Sequence, residues 1–286
     1  MTITLWGTRG SLATPGVETA RYGGNTSCVE VRGTDGTVLV LDAGTGIRRL
    51  GAALPHALRR VDVLLTHLHM DHLQGLAFLE PLWSPEAEVH VWGPASATRT
   101  LAQRVSTYMS PPLFPVRIDD IPSNIAFHDC PDEPFTIGSA TVTASFVSHQ
   151  GPTVGYRIEE DGRTLAYLPD HEPAIGVDLT SLSADWLSGF SLMQGVDVLF
   201  HDAQYFDDEY PSHIGWGHSA ISDTVALAQR AEVRQLVLFH HDPAHSDADL
   251  DRMLALARDM WPDASTPPIL AAEGMELVIE ATSRAR

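Results

Sequence analysis

The sequence predicts an α/β protein in which two mixed β-sheets pack face to face and helices cover their outer sides. Three observations point to this. Short runs rich in Val, Ile, Leu and Phe recur at strand length along the chain, each bounded by turn residues. Helical patterns alternate with them in both halves. A Pro-rich aromatic stretch, "SPPLFPVRIDDIPS", separates one strand cluster from the next. With 286 residues, 44% of them hydrophobic, there is enough apolar material for two sheets with a core between them.

The elements follow in order. "TITLWGT" is a strand, and a Gly-rich turn follows it. "SCVEVRG" and "TVLVLDAG" are strands on either side of a "TDG" turn, and "GIRRLGAAL" is a short helix. "VDVLLTHLH" is the next strand. "DHLQGLAFLEPL" then opens a helix, with Asp71 near its positive N-terminus. "AEVHVWG" is a strand, and a helix lies near "SATRTLAQRVSTYM". After the Pro-rich loop the expected strands are "IAFHDC", "FTIGSATVTASFVSH", "TVGYRIEE", "TLAYLPD", "VDVLFHDA" and "QLVLFHHD". Helices fit "SAISDTVALAQRAE" and "ADLDRMLALARDMW", and "GMELVIEA" is the last strand. The expectation is one domain over residues 1–286, in two pseudo-symmetric halves of roughly 1–125 and 126–286.

Composition narrows the function. The formal net charge is −19, and every basic residue apart from histidine is arginine. A long polyanion is repelled over most of such a surface, so a small-molecule substrate is expected rather than nucleic acid. No apolar run reaches the length of a membrane span, and the N-terminus lacks a basic segment followed by an apolar one. Cys28 and Cys130 are far apart and form no CxxC pair. These features fit a cytoplasmic protein with core thiols and no membrane partner. A homodimer is compatible with the sequence.

The chemistry concentrates in "THLHMDHLQG", where His67, His69, Asp71 and His72 follow an apolar strand. His67 and His69 are two apart in an extended segment and can point to one side. Asp71 and His72 sit where the chain turns into a helix and can aim back at the same point. Imidazoles and a carboxylate are ligands for zinc and similar transition metals.

This HxHxDH run resembles the signature of the metallo-β-lactamase superfamily, whose fold is an αββα four-layer sandwich. The resemblance implies a dinuclear site completed by a later His, a bridging Asp and a final His, each at a strand end. His149 in "ASFVSHQG", Asp170 in "TLAYLPDHE" and His240 in "QLVLFHHD" match, with His241 as the rival for the last place. It further implies one ion on His67, His69, His149 and Asp170 and a second on Asp71, His72, Asp170 and His240. The cofactors are then two divalent ions, Zn2+ expected ahead of Mn2+. Asp42 in "LVLDAGTG" matches a carboxylate that buttresses the ligands.

Three stretches are similar to the phosphodiesterase branch, which includes tRNA 3′-processing endonucleases and phosphoribosyl cyclic phosphodiesterases. They are "LWGTRGSLATPG…RYGGNTSCVEV", "VLFHDAQY" and "GHSAISDTVALAQRAEVRQLVLFHHD". The likeness implies a hydrolase of a small phosphodiester, cyclic or linear, working through a metal-bridging hydroxide. Asp71 is one catalytic residue, and Asp202 with His218 forms a pair that protonates the leaving group. His171 is a candidate for substrate contact, and His201, His213 and His245 have packing roles. Tyr108 and Phe114 either wall the pocket or plug the core. The tRNA enzymes carry a protruding arm, often between the third His and the bridging Asp; here His149 and Asp170 leave room only for a hairpin. The same two-metal core would also serve a lactone, a β-lactam or a thioester. A tRNA endonuclease and a non-catalytic regulatory protein complete the alternatives.

Overall fold

The computed structural model describes residues 1–55 and 57–280. It forms the expected αββα sandwich, built from two seven-stranded mixed sheets. The first sheet contains β1 (Thr2–Gly7), β2 (Cys28–Arg32), β3 (Val38–Leu41), β4 (Arg60–Leu64), β5 (Glu88–Gly93) and β6 (Asn124–Asp129) in spatial order. The second contains β7 (Phe135–Ile137), β8 (Ala140–Phe146), β9 (Val154–Glu160), β10 (Arg163–Leu168), β11 (Val198–Asp202), β12 (Gln235–Phe239) and β13 (Ile269–Leu270). The last strand, β14 (Glu276–Val278), returns to pair antiparallel with β1. It lies inside the expected run from Gly274, whose final residue, Ala281, is outside the described residues.

Each sheet changes character partway across. β1–β3 are antiparallel and β3–β6 parallel; β7–β10 are antiparallel and β10–β13 parallel. Parallel strands present their carboxyl ends together, so β3 and β4 of one sheet and β10, β11 and β12 of the other open their following loops at one end of the sandwich. Crevices outside such strand ends are where α/β folds place their sites.

Side-chain alternation assigns the layers. In β3, Leu39 and Leu41 enter the core between the sheets, while Val38 and Val40 face the outer helix layer. The inner core joins Ile3, Leu5 and Val31 of one sheet to Tyr156, Phe200 and Phe239 of the other. Outside the first sheet lies α1 (Ile47–Ala53), with Ile47 and Leu50 buried. Outside the second lie α4 (Phe190–Met193), α5 (Ile221–Arg230) and α6 (Asp247–Met260), which starts at a Ser246–Asp249 capping box. Among the described residues no helix is long and apolar enough to cross a membrane.

Four local expectations need correction. The helix expected from Asp71 stops early: α2 spans only Met70–Leu73, and short 3-10 turns follow at Leu76–Phe78 and Glu80–Trp83. Gly75 is the cause. Its N–H donates to Ala43 O, and a Cβ there would lie 2.0 Å from Gly44 O. The helix expected near Ser96 reduces to α3 (Leu101–Val105), because a Thr100–Gln103 capping box fixes its start. The long strand expected from Phe135 is the hairpin β7–β8, turning at Gly138, whose φ of +57° suits glycine. β4 ends at Leu64, so His67 and His69 belong to a loop. α4 and β13 are too short for their patterns to stand out in the sequence.

Asp223 in α5 lies near Asp207, Asp178 and Glu172. Burial, then these three carboxylates, push its pKa up from 3.8 to about 6. The folded chain therefore holds this proton to higher pH than the unfolded chain does. Its favourable contribution is greatest below the unfolded value and is lost as pH rises through about 6. The gap sets a ceiling of about 3 kcal/mol, which partial solvent exposure reduces to about 1 kcal/mol. Asp223→Asn should raise the thermal midpoint at neutral pH and give no gain near pH 3.8. An equal shift at both values in thermal denaturation would refute this account.

Candidate metal centre

After β3 the chain enters a left-handed turn at Asp42, with φ +60°. This carboxylate is fully buried and organises one side of the site. It accepts from Thr66 N at 2.7 Å, from Thr66 Oγ1 at 3.0 Å and from His72 Nδ1 at 2.8 Å. Tyr167 Oη, from the opposite sheet, donates to it at 3.0 Å. A carboxylate that only accepts fixes the His72 tautomer: Nδ1 carries the proton and Nε2 points bare into the centre. With its own proton committed to Asp42, Thr66 Oγ1 accepts from His67 Nδ1 at 3.1 Å and leaves His67 Nε2 bare as well.

The expected ligand residues converge as two groups, the donor atoms of each lying within 4.8 Å of one another. One group is His67, His69 and His149; the other is Asp71, His72, Asp170 and His240. Asp170 faces both. Its Oδ1 is 3.8 Å from His67 Nε2 and 3.7 Å from His149 Nε2, while its Oδ2 is 3.0 Å from His72 Nε2 and 3.3 Å from His240 Nε2. Asp71 Oδ2 lies 3.1 Å from His72 Nε2 and 3.2 Å from His240 Nε2, and it accepts from Ser11 N at 2.8 Å.

These residues fit divalent cations. His67 Nε2 and Asp170 Oδ2 are buried without a hydrogen-bond partner; the approaches to Oδ2 lack hydrogen-bond geometry. The Nε2 atoms of His72 and His240, both fully buried, approach one another at 3.2 Å. Lone pairs that face each other deep in the protein are short of positive charge between them. The set of neutral imidazoles and carboxylates suits transition ions. Burial holds the pKa values of His67, His69 and His149 down, which keeps them in the neutral, ligating form. At His72 burial also opposes the charge, but without cations Asp170, Asp71 and Asp42 overcome it and raise its pKa well above the ordinary value; bound cations would displace that second proton and leave Nε2 bare.

His240 and His241 separate cleanly. His240 adopts φ +59° and turns into the cluster, with Nδ1 donating to Gln204 Oε1 at 3.0 Å. His241 turns away, with Nε2 2.9 Å from Ala271 O. Gly10 makes room for His240: a Cβ there would lie 2.4 Å from the ring. Gly10 and Gln204 escaped sequence reasoning, although "TRGS" and "HDAQ" contain them.

Asp202 and His218 come together beside the cluster, with His218 Nδ1 donating to Asp202 Oδ2 at 2.6 Å. Backbone N–H groups of His171, Gln204 and Ser219 also donate to Asp202, so the carboxylate is immobile. His218 stacks on His240 with ring centroids 5.1 Å apart. One of its nitrogens lies within 4.8 Å of donor atoms of His149 and Asp170. Burial opposes its charge, but Asp202 overcomes this and the pKa is pushed up to about 9. Bound cations would lower that value again.

His171, His201, His213 and His245 take partners outside the cluster. His201 Nδ1 donates to Asp202 O, so its Nε2 accepts from His171 Nδ1 at 2.9 Å. His171 is fully buried in this strut, which corrects its expected role in substrate contact. His213 stacks on Tyr205, and His245 Nε2 meets Glu209. A cavity of about 530 Å³ opens beside His67 and His69, lined by Leu68, Met70, Leu73, Tyr108, Leu113 and Gln150 among others. Phe114 instead packs edge-on to Phe78 and against Tyr108, so of the two aromatic candidates only Tyr108 walls the cavity.

If Asp42 sets the His72 tautomer, Asp42→Asn should weaken binding of at least one divalent ion by about 10–100-fold. Competition with a chromogenic chelator measures this, and circular dichroism checks the fold. Unchanged affinity for both ions in a folded variant would contradict the role.

The family pattern described as the Beta-lactamase superfamily domain matches residues 37–241. An uncharacterized protein of Mycobacterium tuberculosis is 30% identical over 257 residues, covering 87% of this chain and 83% of the relative. Ribonuclease Z of Haloarcula marismortui is 25% identical over 327 residues, covering 98% of this chain and 97% of the relative. The crystal structure of a diphosphatase from the PhnP family has a TM-score of 0.69 at 19% identity, covering 98% of each chain. With its two metal-binding clusters at the strand ends of an αββα sandwich, the chain belongs to the metallo-β-lactamase superfamily.

Proposed function

We propose that the protein is a two-metal phosphodiesterase acting on a small phosphodiester, cyclic or linear, with Zn2+ as the first candidate ion and Mn2+ as the second. The observation that carries this reading is the Asp202–His218 pair, buried and hydrogen-bonded beside the ligand cluster. A phosphodiester with an alkoxide leaving group needs a proton donor at that place, and this pair can supply it.

His67, His69 and His149 would hold one ion, Asp71, His72 and His240 the other, and Asp170 both. When bound, such ions polarise a phosphoryl oxygen and lower the pKa of water. The chain's own residues do the rest. Asp71, fixed by the Ser11 N–H, orients the attacking water. Asp202 keeps the proton on His218 Nδ1, so that Nε2 donates to the departing oxygen. Leu68, Met70 and Tyr108 offer an apolar wall to the organic part of the substrate beside His67 and His69.

The resemblance to Ribonuclease Z raises tRNA as a substrate. Two observations favour a small molecule instead. Between His149 and Asp170 the chain forms only the β9–β10 hairpin, closed tightly after the Glu160–Arg163 pair, with no protruding arm. The net charge of −19 repels a polyanion.

Turnover of a series of phosphodiesters with graded leaving groups tests the acid. His218→Ala should lose about 10²–10⁴-fold with an alkyl leaving group and far less with p-nitrophenolate, with metal content unchanged. Parallel dependence on leaving-group pKa for wild type and variant, at equal metal content, would remove His218 from the role. In a binding assay at physiological ionic strength, tRNA should show no tight, salt-sensitive association; nanomolar binding would overturn the small-substrate reading.

A further inference from the structure

We propose that Glu172 is a positioning residue that sets the tautomer and orientation of His149, and through it the affinity of one of the two ion sites. The inference rests on the reading of the cluster as a metal centre and concerns a residue outside the expected ligand set.

Glu172 is 1% exposed, two residues after Asp170. Removing a carboxylate from water is costly unless hydrogen bonds replace the water. Its oxygens accept from Gly215 N at 2.8 and 3.0 Å, from Gly217 N at 2.8 Å and from Tyr210 Oη at 2.7 Å. All of these donors are neutral. Gly215 and Gly217 have φ of +84° and +90°, the left-handed geometry that lets successive backbone N–H groups converge on one anion. Glu172 thereby fixes the loop from His213 to Gly217 in a conformation that ordinary residues resist.

That loop acts on His149. The carbonyl of Gly217 accepts from His149 Nδ1 at 2.8 Å. The proton is thus held on Nδ1, and Nε2 is bare, 3.2 Å from His69 Nδ1. The contact is close: a Cβ at position 217 would lie 2.2 Å from His149 Nδ1. Glu172 also grips from the other side, since its N–H donates to Ser148 O at 2.9 Å. The histidines of the other group take their second partners elsewhere, His72 from Asp42 and His240 from Gln204. Loss of the Glu172 carboxylate should therefore be felt at His67, His69 and His149, and much less at Asp71, His72 and His240.

Zinc affinities are measured by chelator competition for wild type and Glu172→Gln, whose amide keeps the size but offers one acceptor oxygen. The expected result is a loss of about 10–100-fold at one of two sites, with the other within about threefold. Imidazole ¹⁵N NMR of the metal-free wild type, with His149 assigned through His149→Gln, gives a readout that needs no Glu172 variant. It should show the Nδ1–H tautomer; an Nε2–H tautomer at His149 overturns the proposal even if Glu172→Gln does not fold. Two unchanged affinities in folded Glu172→Gln also overturn it. A wild type that binds no zinc defeats the metal-centre reading itself, whatever the variant does.

Discussion

Asp170 carries the constraint on which the rest of the site depends. Its carboxylate is almost wholly removed from water, and its two oxygens are turned toward two different groups of imidazoles. Burying an isolated charge in this way is prohibitively costly, so the arrangement makes physical sense when cations lie on both sides. The surrounding hydrogen bonds agree. His67, His72, His149 and His240 each donate from Nδ1 to a partner of their own: Thr66, Asp42, Gly217 O and Gln204. In every case Nε2 is the nitrogen left to face inward. Independent partners that select one tautomer at four positions are the mark of a prepared ligand set.

The sandwich supplies the convergence. Asp42 and the HLHMDH loop leave the parallel strands of one sheet; Asp170, Asp202 and His240 leave those of the other. Tyr167 crosses between the sheets to Asp42, joining the packed core directly to the site. Backbone conformations unfavourable for ordinary residues recur here, at Asp42 and His240. Such strain persists where the surroundings over-determine it, as the fit of Gly10 against the His240 ring does.

The legibility of the site in the sequence follows the distance along the chain over which each feature is encoded. His67, His69, Asp71 and His72 lie within one short run, so their spacing announced them. His149, Asp170 and His240 were readable as polar residues ending apolar strands, in the order that the family resemblance implied. The αββα layering was legible because alternation in strands and periodicity in helices are local. What the sequence hid depends on contacts between distant segments. The break after α2 arises from Gly75 meeting the chain at Gly44. The hold of Gln204 on His240 and of Glu172 on the Gly217 loop joins residues 36 and 45 positions apart. His171 illustrates the converse: its place next to Asp170 suggested a substrate contact, but the strand end rotates it into the strut with His201.

The central claim is that this cluster is a two-ion site serving phosphodiester hydrolysis. The most direct measurement is a titration of metal-stripped protein with zinc or manganese, following bound ion and bis-p-nitrophenyl phosphate turnover together. The account predicts saturation at two ions per chain, with turnover rising as the second is taken up. Saturation at one or none, or two bound ions with lactone or β-lactam cleaved and the phosphodiester untouched, would contradict it.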